Sequence, residues 1–126
     1  MSRPSTPLSG TNLSIIAGAL SRPPELRHLP SGDQVLTLEV TVRPEGEPAE
    51  SVPVAWHRPT SSALDWASGE EIVVVGRVRR RFFRAGGATQ SRTELVAQTV
   101  VPARRRAAAQ RAIETALGDI TELLEE

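Results

Sequence analysis

At 126 residues, with no cysteine and a formal net charge of zero, the chain has the size of one domain with room for an appended helix. The lack of cysteine excludes disulfides and thiolate metal sites, and a domain of this size buries a real core without such staples. The two histidines, His28 and His57, have no partner at ligand spacing, so neither a metal nor a cofactor is expected.

No apolar run is long enough to span a membrane. Residues 1–11 are rich in Ser, Thr and Pro and lack the apolar stretch of a signal peptide, so they are expected to form a flexible arm. The simplest reading is a soluble, cytoplasmic protein.

Charge is unevenly placed. All fifteen basic residues are arginine, and residues 76–111 hold ten of them against a single acid, Glu94. Residues 112–126 hold five acids and no base. A basic stripe of this density suggests an anionic partner, and the acidic tail suggests a separate role.

In chain order, Leu13–Leu20 is apolar and β-branched enough for a strand, with Gly18 marking a bend. The segment that follows, Gly18–Gly32, contains Pro23-Pro24, Arg22 and Arg27. It is expected to link two strands as a stiff, extended crossing that turns at Pro30-Ser31-Gly32. Asp33–Arg43 alternates strictly, with Leu36, Leu38, Val40 and Val42 on one face, and reads as a half-buried strand. Ser51–His57 is a third strand, weakened by Pro53. Thr60–Ala67 is expected to be a short helix carrying a buried Trp66.

Glu71–Phe83 is a long strand. Alternation puts Ile72, Val74 and Val78 on one face and Val73, Val75, Arg77, Arg79, Arg81 and Phe83 on the other. Arg84–Thr89 is a hairpin tip containing Gly86-Gly87, Gln90–Val101 is the returning strand, and Pro102 stops it. Five strands with a helix between the third and fourth is the order of an OB-fold, an all-β Greek-key barrel whose open face often binds oligonucleotides. Residues 103–126 read as a C-terminal α-helix with an apolar seam, Ile113, Leu117, Ile120 and Leu124. This seam is expected to be buried on the barrel or on another subunit.

The order and spacing of these pieces resemble the bacterial single-stranded DNA-binding protein family. Asn12-Leu-Ser-Ile-Ile-Ala-Gly18-Ala-Leu20 is similar to that family's opening strand, and Pro24-Glu-Leu-Arg27 and Pro30-Ser-Gly32 follow in the family's order. Gly69-Glu-Glu-Ile-Val-Val-Val-Gly76-Arg-Val-Arg-Arg-Arg-Phe82 is similar to its later strand, and Gly86-Gly87 sits at its hairpin tip. The resemblance covers residues 12–102 and implies a divergent, short member of the family. The implied activity is sequence-tolerant, non-catalytic binding of single-stranded DNA in replication, repair and recombination. A homo-oligomer, tetramer or dimer, and a nucleoid-associated location are implied with it.

The resemblance also suggests the site. It places Trp56 and Phe83, with Phe82 beside it, as stacking platforms, although alternation alone puts Trp56 with Val52 and Val54 on a face that reads as core. Arg77, Arg79, Arg81, Arg84, Arg92, Arg27 and Arg43 are expected to contact phosphates. Phe83 shares a face with Arg77, Arg79 and Arg81, which a core would not accept. The tail, Asp119–Glu126, is acidic and apolar but helical in pattern and lacks the family's usual ending, so recruitment of replication and repair proteins by that route is in doubt. A second class of function is an OB-fold interaction subunit with little nucleic-acid binding. No nucleophile–base pair or phosphate-cradling Gly-Lys loop points to an enzyme.

Overall fold

The computed structural model describes residues 8–125, with side chains from Ser9 onward. Most of the expected N-terminal arm therefore lies outside the described residues. What is described of it ends in one 3-10 turn, Leu8–Gly10. The strands are β1 (Ser14–Leu20), β2 (Glu25–His28), β3 (Gln34–Val42), β4 (Glu50–His57), β5 (Glu71–Ala85) and β6 (Ala88–Pro102), followed by helix α1 (Arg106–Glu125).

The sheet runs β1-β5-β6-β4-β3-β2, and β1 also pairs with β3 through Ala19–Thr41 and Leu20–Val40. That extra pairing closes five strands into a ring and leaves β2 as an annex on β3. This is an OB-fold barrel with a C-terminal helix. Gly18 sits where β1 swings towards β3. A Cβ there would strike the Thr41 carbonyl oxygen and come to 3.0 Å from Val40 Cγ1, so only glycine allows that approach.

The alternation of β3 sets the core. Leu36, Leu38 and Val40 point inward and are fully buried, joined by Leu20, Val54, Ile72, Val74 and Leu95. Each such side chain contributes about 1.5–3 kcal/mol by leaving water. The connection before β5 is a 3-10 turn, Ser61–Asp65, rather than the longer helix expected over Thr60–Ala67, and the Thr60 side chain makes no capping hydrogen bond. The turn still places Ala63 and Trp66 in the core.

Two other expectations change. Residues 18–32 are not a bare crossing, because Glu25–His28 forms β2, paired antiparallel with Gln34–Thr37. Pro23 and Pro24 have no N–H to give a ladder, so pairing starts just after them. The β2–β3 loop is closed by Leu29 N–H to the Asp33 carbonyl and Gly32 N–H to the Leu29 carbonyl, both 2.9 Å, with Gly32 at φ +92°.

The second change concerns β5, which is buried on both faces from Ile72 to Gly76. Ile72 and Val74 face the barrel interior, and α1 lies over the outer side, where Val75, Thr99 and Val101 line a groove together with Ala108, Ala112 and Ala116. A register shift between Val75 and Gly76 follows, and the β5–β6 ladder continues past the last β4–β6 pairs, at Leu95 and Val96, to its tip. Gly76 lies at that shift, where a Cβ would strike the Val96 carbonyl oxygen.

Helix α1 meets the barrel through small residues. Ala109 and Ala116 are its buried positions, while Ile113 and Ile120 are half-buried. Leu117 and Leu124 are 51% and 66% exposed. The seam expected to be buried on the barrel or on another subunit is thus turned partly outward, and the buried positions of the helix are Ala109 and Ala116. None of the described helices is long and apolar enough to cross a membrane.

Candidate nucleic-acid interface

The outer face of the sheet forms a continuous shallow groove across five strands. Cross-strand pairing sets Arg27 beside Val35 and Val35 beside His57, then Arg79 beside Glu94 and Arg81 beside Arg92. All of these residues line one groove, together with Leu29 and Ala55. Strand alternation puts Arg77 and Phe83 on the same side of β5 as Arg79 and Arg81. Residues distant in sequence, from β2, β5 and β6, therefore share one arginine-rich surface.

Glu94 is the single acid within that arginine-rich stretch, and it is 7% exposed. Its Oε2 accepts from Arg79 Nη2 at 3.1 Å, and its Oε1 pairs with Arg81 Nε at 3.4 Å. The carboxylate fixes both guanidinium groups and offsets part of their charge. A buried carboxylate needs such partners, since an unpaired one is strongly disfavoured. Glu94 was visible in the sequence as the lone acid among ten arginines, but nothing in the pattern placed it inside the site.

The β5–β6 ribbon carries the exposed aromatics on opposite faces. Its register is unbroken from Gly76 to Ala85, and a two-residue turn at Gly86-Gly87, with φ of +58° and +80°, closes it. Phe83, 37% exposed, lies on the groove side with the Arg81 guanidinium 5.6 Å from its ring centroid. Phe82, 65% exposed, faces the other way with Arg80 at 5.2 Å. Arg84 shares the Phe82 side and donates to the Gly87 carbonyl at 3.1 Å, folding back on the tip.

The base of the ribbon is held by Asn12. Its Nδ2 donates to the Val78 carbonyl at 2.8 Å, and its Oδ1 accepts from Val78 N–H at 3.0 Å. One carboxamide thus continues the ladder past the end of β1 and ties residues 66 positions apart.

Two expected site residues are placed elsewhere. Arg43 follows the end of β3 opposite to that which pairs with Arg27, and is not among the groove residues. Trp56 is the larger correction. It is 6% exposed, belongs to the core, and stacks on Trp66 with ring centroids 6.0 Å apart. Val54 and Trp56 both point inward, so simple alternation gave the right face and the resemblance did not. Trp56 offers no ring to a base on the outer surface.

The profile of the single-strand binding protein family matches residues 11–103, and the chain belongs to that family. Membership makes it a non-catalytic DNA-binding protein and supports binding of single-stranded DNA in general. No curated protein matches the chain.

Proposed function

We propose that the chain binds single-stranded DNA without strong sequence preference along the outer groove. Arg27, Arg79, Arg81, Arg92 and Arg77 take phosphates, and Phe83 stacks on a base. The observation that carries this reading is the joining of Phe83, with Arg81 against its ring, to the arginine-lined groove on one sheet face. Phosphate contacts set affinity and its salt dependence. Stacking on an aromatic ring requires an unpaired base and tolerates any base identity.

Phe82, Arg80 and Arg84 lie across the ribbon from this surface and serve a strand that folds over its edge. In the cell the protein acts in DNA replication, repair and recombination, in the cytoplasm and associated with the nucleoid. It works as a homo-oligomer, dimer or tetramer, which multiplies weak sites into a strong one.

Titration of a labelled oligo-dT followed by anisotropy, at two salt concentrations and against a duplex competitor, tests the reading. The expected result is a preference for the single strand and an affinity that falls as salt rises. Equal binding to both forms would remove the stacking role and leave a plain basic surface. No binding to either would favour an OB-fold interaction subunit, a reading supported by the loss of Trp56 to the core.

A further inference from the structure

The β5–β6 ribbon has two faces of the same chemistry. Arg79–Ala85 pairs with Ala88–Glu94, while β1 pairs with β5 only as far as Gly76 and β4 pairs with β6 only at Leu95 and Val96. Among the described residues this stretch is therefore a two-stranded ladder with no third strand on either edge. One face carries Arg79, Arg81 and Phe83 opposite Glu94, Arg92 and Gln90, and continues the groove. The other carries Arg80, Phe82 and Arg84 opposite Thr93, Ser91 and Thr89. Each face holds a phenylalanine with a guanidinium against its ring, Arg81 at 5.6 Å from the Phe83 centroid and Arg80 at 5.2 Å from that of Phe82.

The faces differ in how their charge is offset. Glu94 pairs with Arg79 and Arg81 on the groove face, whereas the six residues of the second face include no acid. Phe82 is also the more exposed of the two rings. An open ring beside uncompensated guanidinium groups suits an unpaired base and its phosphates.

Phe82 and Phe83 are neighbours in the chain, so their Cα atoms lie about 3.8 Å apart and their side chains leave opposite sides of the ribbon. A strand in the groove reaches Phe82 only by turning round the ribbon's edge. Two strands diverging from one duplex end reach both rings without a turn, one on each side.

We propose that the ribbon is a wedge for forked DNA, with one single-stranded arm stacked on Phe83 along the groove and the other on Phe82 between Arg80 and Arg84. The wedge rests on the reading of the groove as a single-strand site and names a class of DNA for the face behind it. On a long continuous strand that face takes the stretch folded over the edge; at a fork it takes the second arm. Held on opposite faces, the two arms are kept from pairing again.

The test measures, by anisotropy with the full chain, a duplex ending in two short oligo-dT arms against duplexes with one such arm, on the 5′ or the 3′ side. One more stacked base corresponds to about 5- to 150-fold in affinity. The fork is therefore expected to bind at least about 5-fold more tightly than either one-armed duplex, above the roughly twofold that two equal arms give by number alone. Phe82→Ala should bring the ratio down to that roughly twofold level, and Phe82→Trp should keep it high. A wild-type fork that gains no more than the effect of number would overturn the wedge and leave the Phe82 face to an acidic protein segment. A fork preference kept in full by Phe82→Ala would overturn it too, and assign the two arms to the grooves of two subunits. Failure of every armed duplex to bind would overturn the single-strand reading of the groove, and the wedge with it.

Discussion

Glu94 holds Arg79 at 3.1 Å inside the groove that otherwise presents arginines to solvent. The same carboxylate reaches Arg81 at 3.4 Å. An acid so placed competes with phosphate for both guanidinium groups while keeping them in position. Glu94→Gln is expected to tighten binding to oligo-dT and to steepen the fall of log K with log salt. Each arginine released to a phosphate adds about 0.7 to that slope for single strands. An unchanged slope, measured by anisotropy across a salt series, would show that the pair stays locked when DNA binds.

Arg81→Ala/Arg92→Ala tests the phosphate contacts from the other side. These two residues are cross-strand partners, and Glu94 keeps Arg79 when they are removed. The double variant should weaken binding to all sequences about equally and lower the salt slope by about 1.4. The comparison uses oligo-dT and a mixed-sequence oligonucleotide in the same salt series. A loss confined to one sequence would point to base contacts instead.

The aromatic residues divide sharply in their expected effect. Phe83→Ala should cost about 1–3 kcal/mol of binding, a rise in Kd of about 5- to 150-fold. Trp56 and Trp66 are buried against each other, so intrinsic tryptophan emission should change little when the protein is saturated with oligo-dT. Strong quenching would mean that the Trp56 region opens on binding.

Much of the fold was legible from side-chain alternation, and the exceptions have physical causes. In β3, Leu36, Leu38 and Val40 declared their face because every second residue was apolar. Strand β2 was hidden by the two prolines before it, which read as a linker although they only delay pairing. In α1 the stripe of Ile113, Leu117, Ile120 and Leu124 was legible, but the burial of Ala109 and Ala116 was not, because alanine gives little hydrophobic signal. The site was partly legible: Arg77, Arg79, Arg81 and Phe83 were placed together by parity alone. Trp56 showed two conflicting signals, and Glu94 required knowing which residues β6 sets beside Arg79.

Asn12 offers a test of how the ribbon is anchored. Asn12→Ala removes both hydrogen bonds to the Val78 backbone, each worth about 0.5–1.5 kcal/mol net. Thermal unfolding should show a melting temperature several degrees lower. Oligo-dT affinity should fall modestly, because the Arg79–Phe83 segment starts from that anchor. Asn12→Asp should recover little, since it keeps an acceptor for Val78 N–H but loses the donor to Val78 C=O. Equal stability of Asn12→Ala and wild type would assign the ribbon's position to the β5–β6 ladder alone.

The alanine contacts of α1 divide the molecule into two tiers of stability. The barrel closes on itself through β1 and β3 and buries leucines, valines and two tryptophans. The helix fully buries only Ala109 and Ala116, whose methyl groups remove little apolar area from water. Local opening follows such differences in contact. Amide protons of α1 should therefore exchange with deuterium long before those of β3 and β5, by a detachment of the helix that leaves the barrel intact.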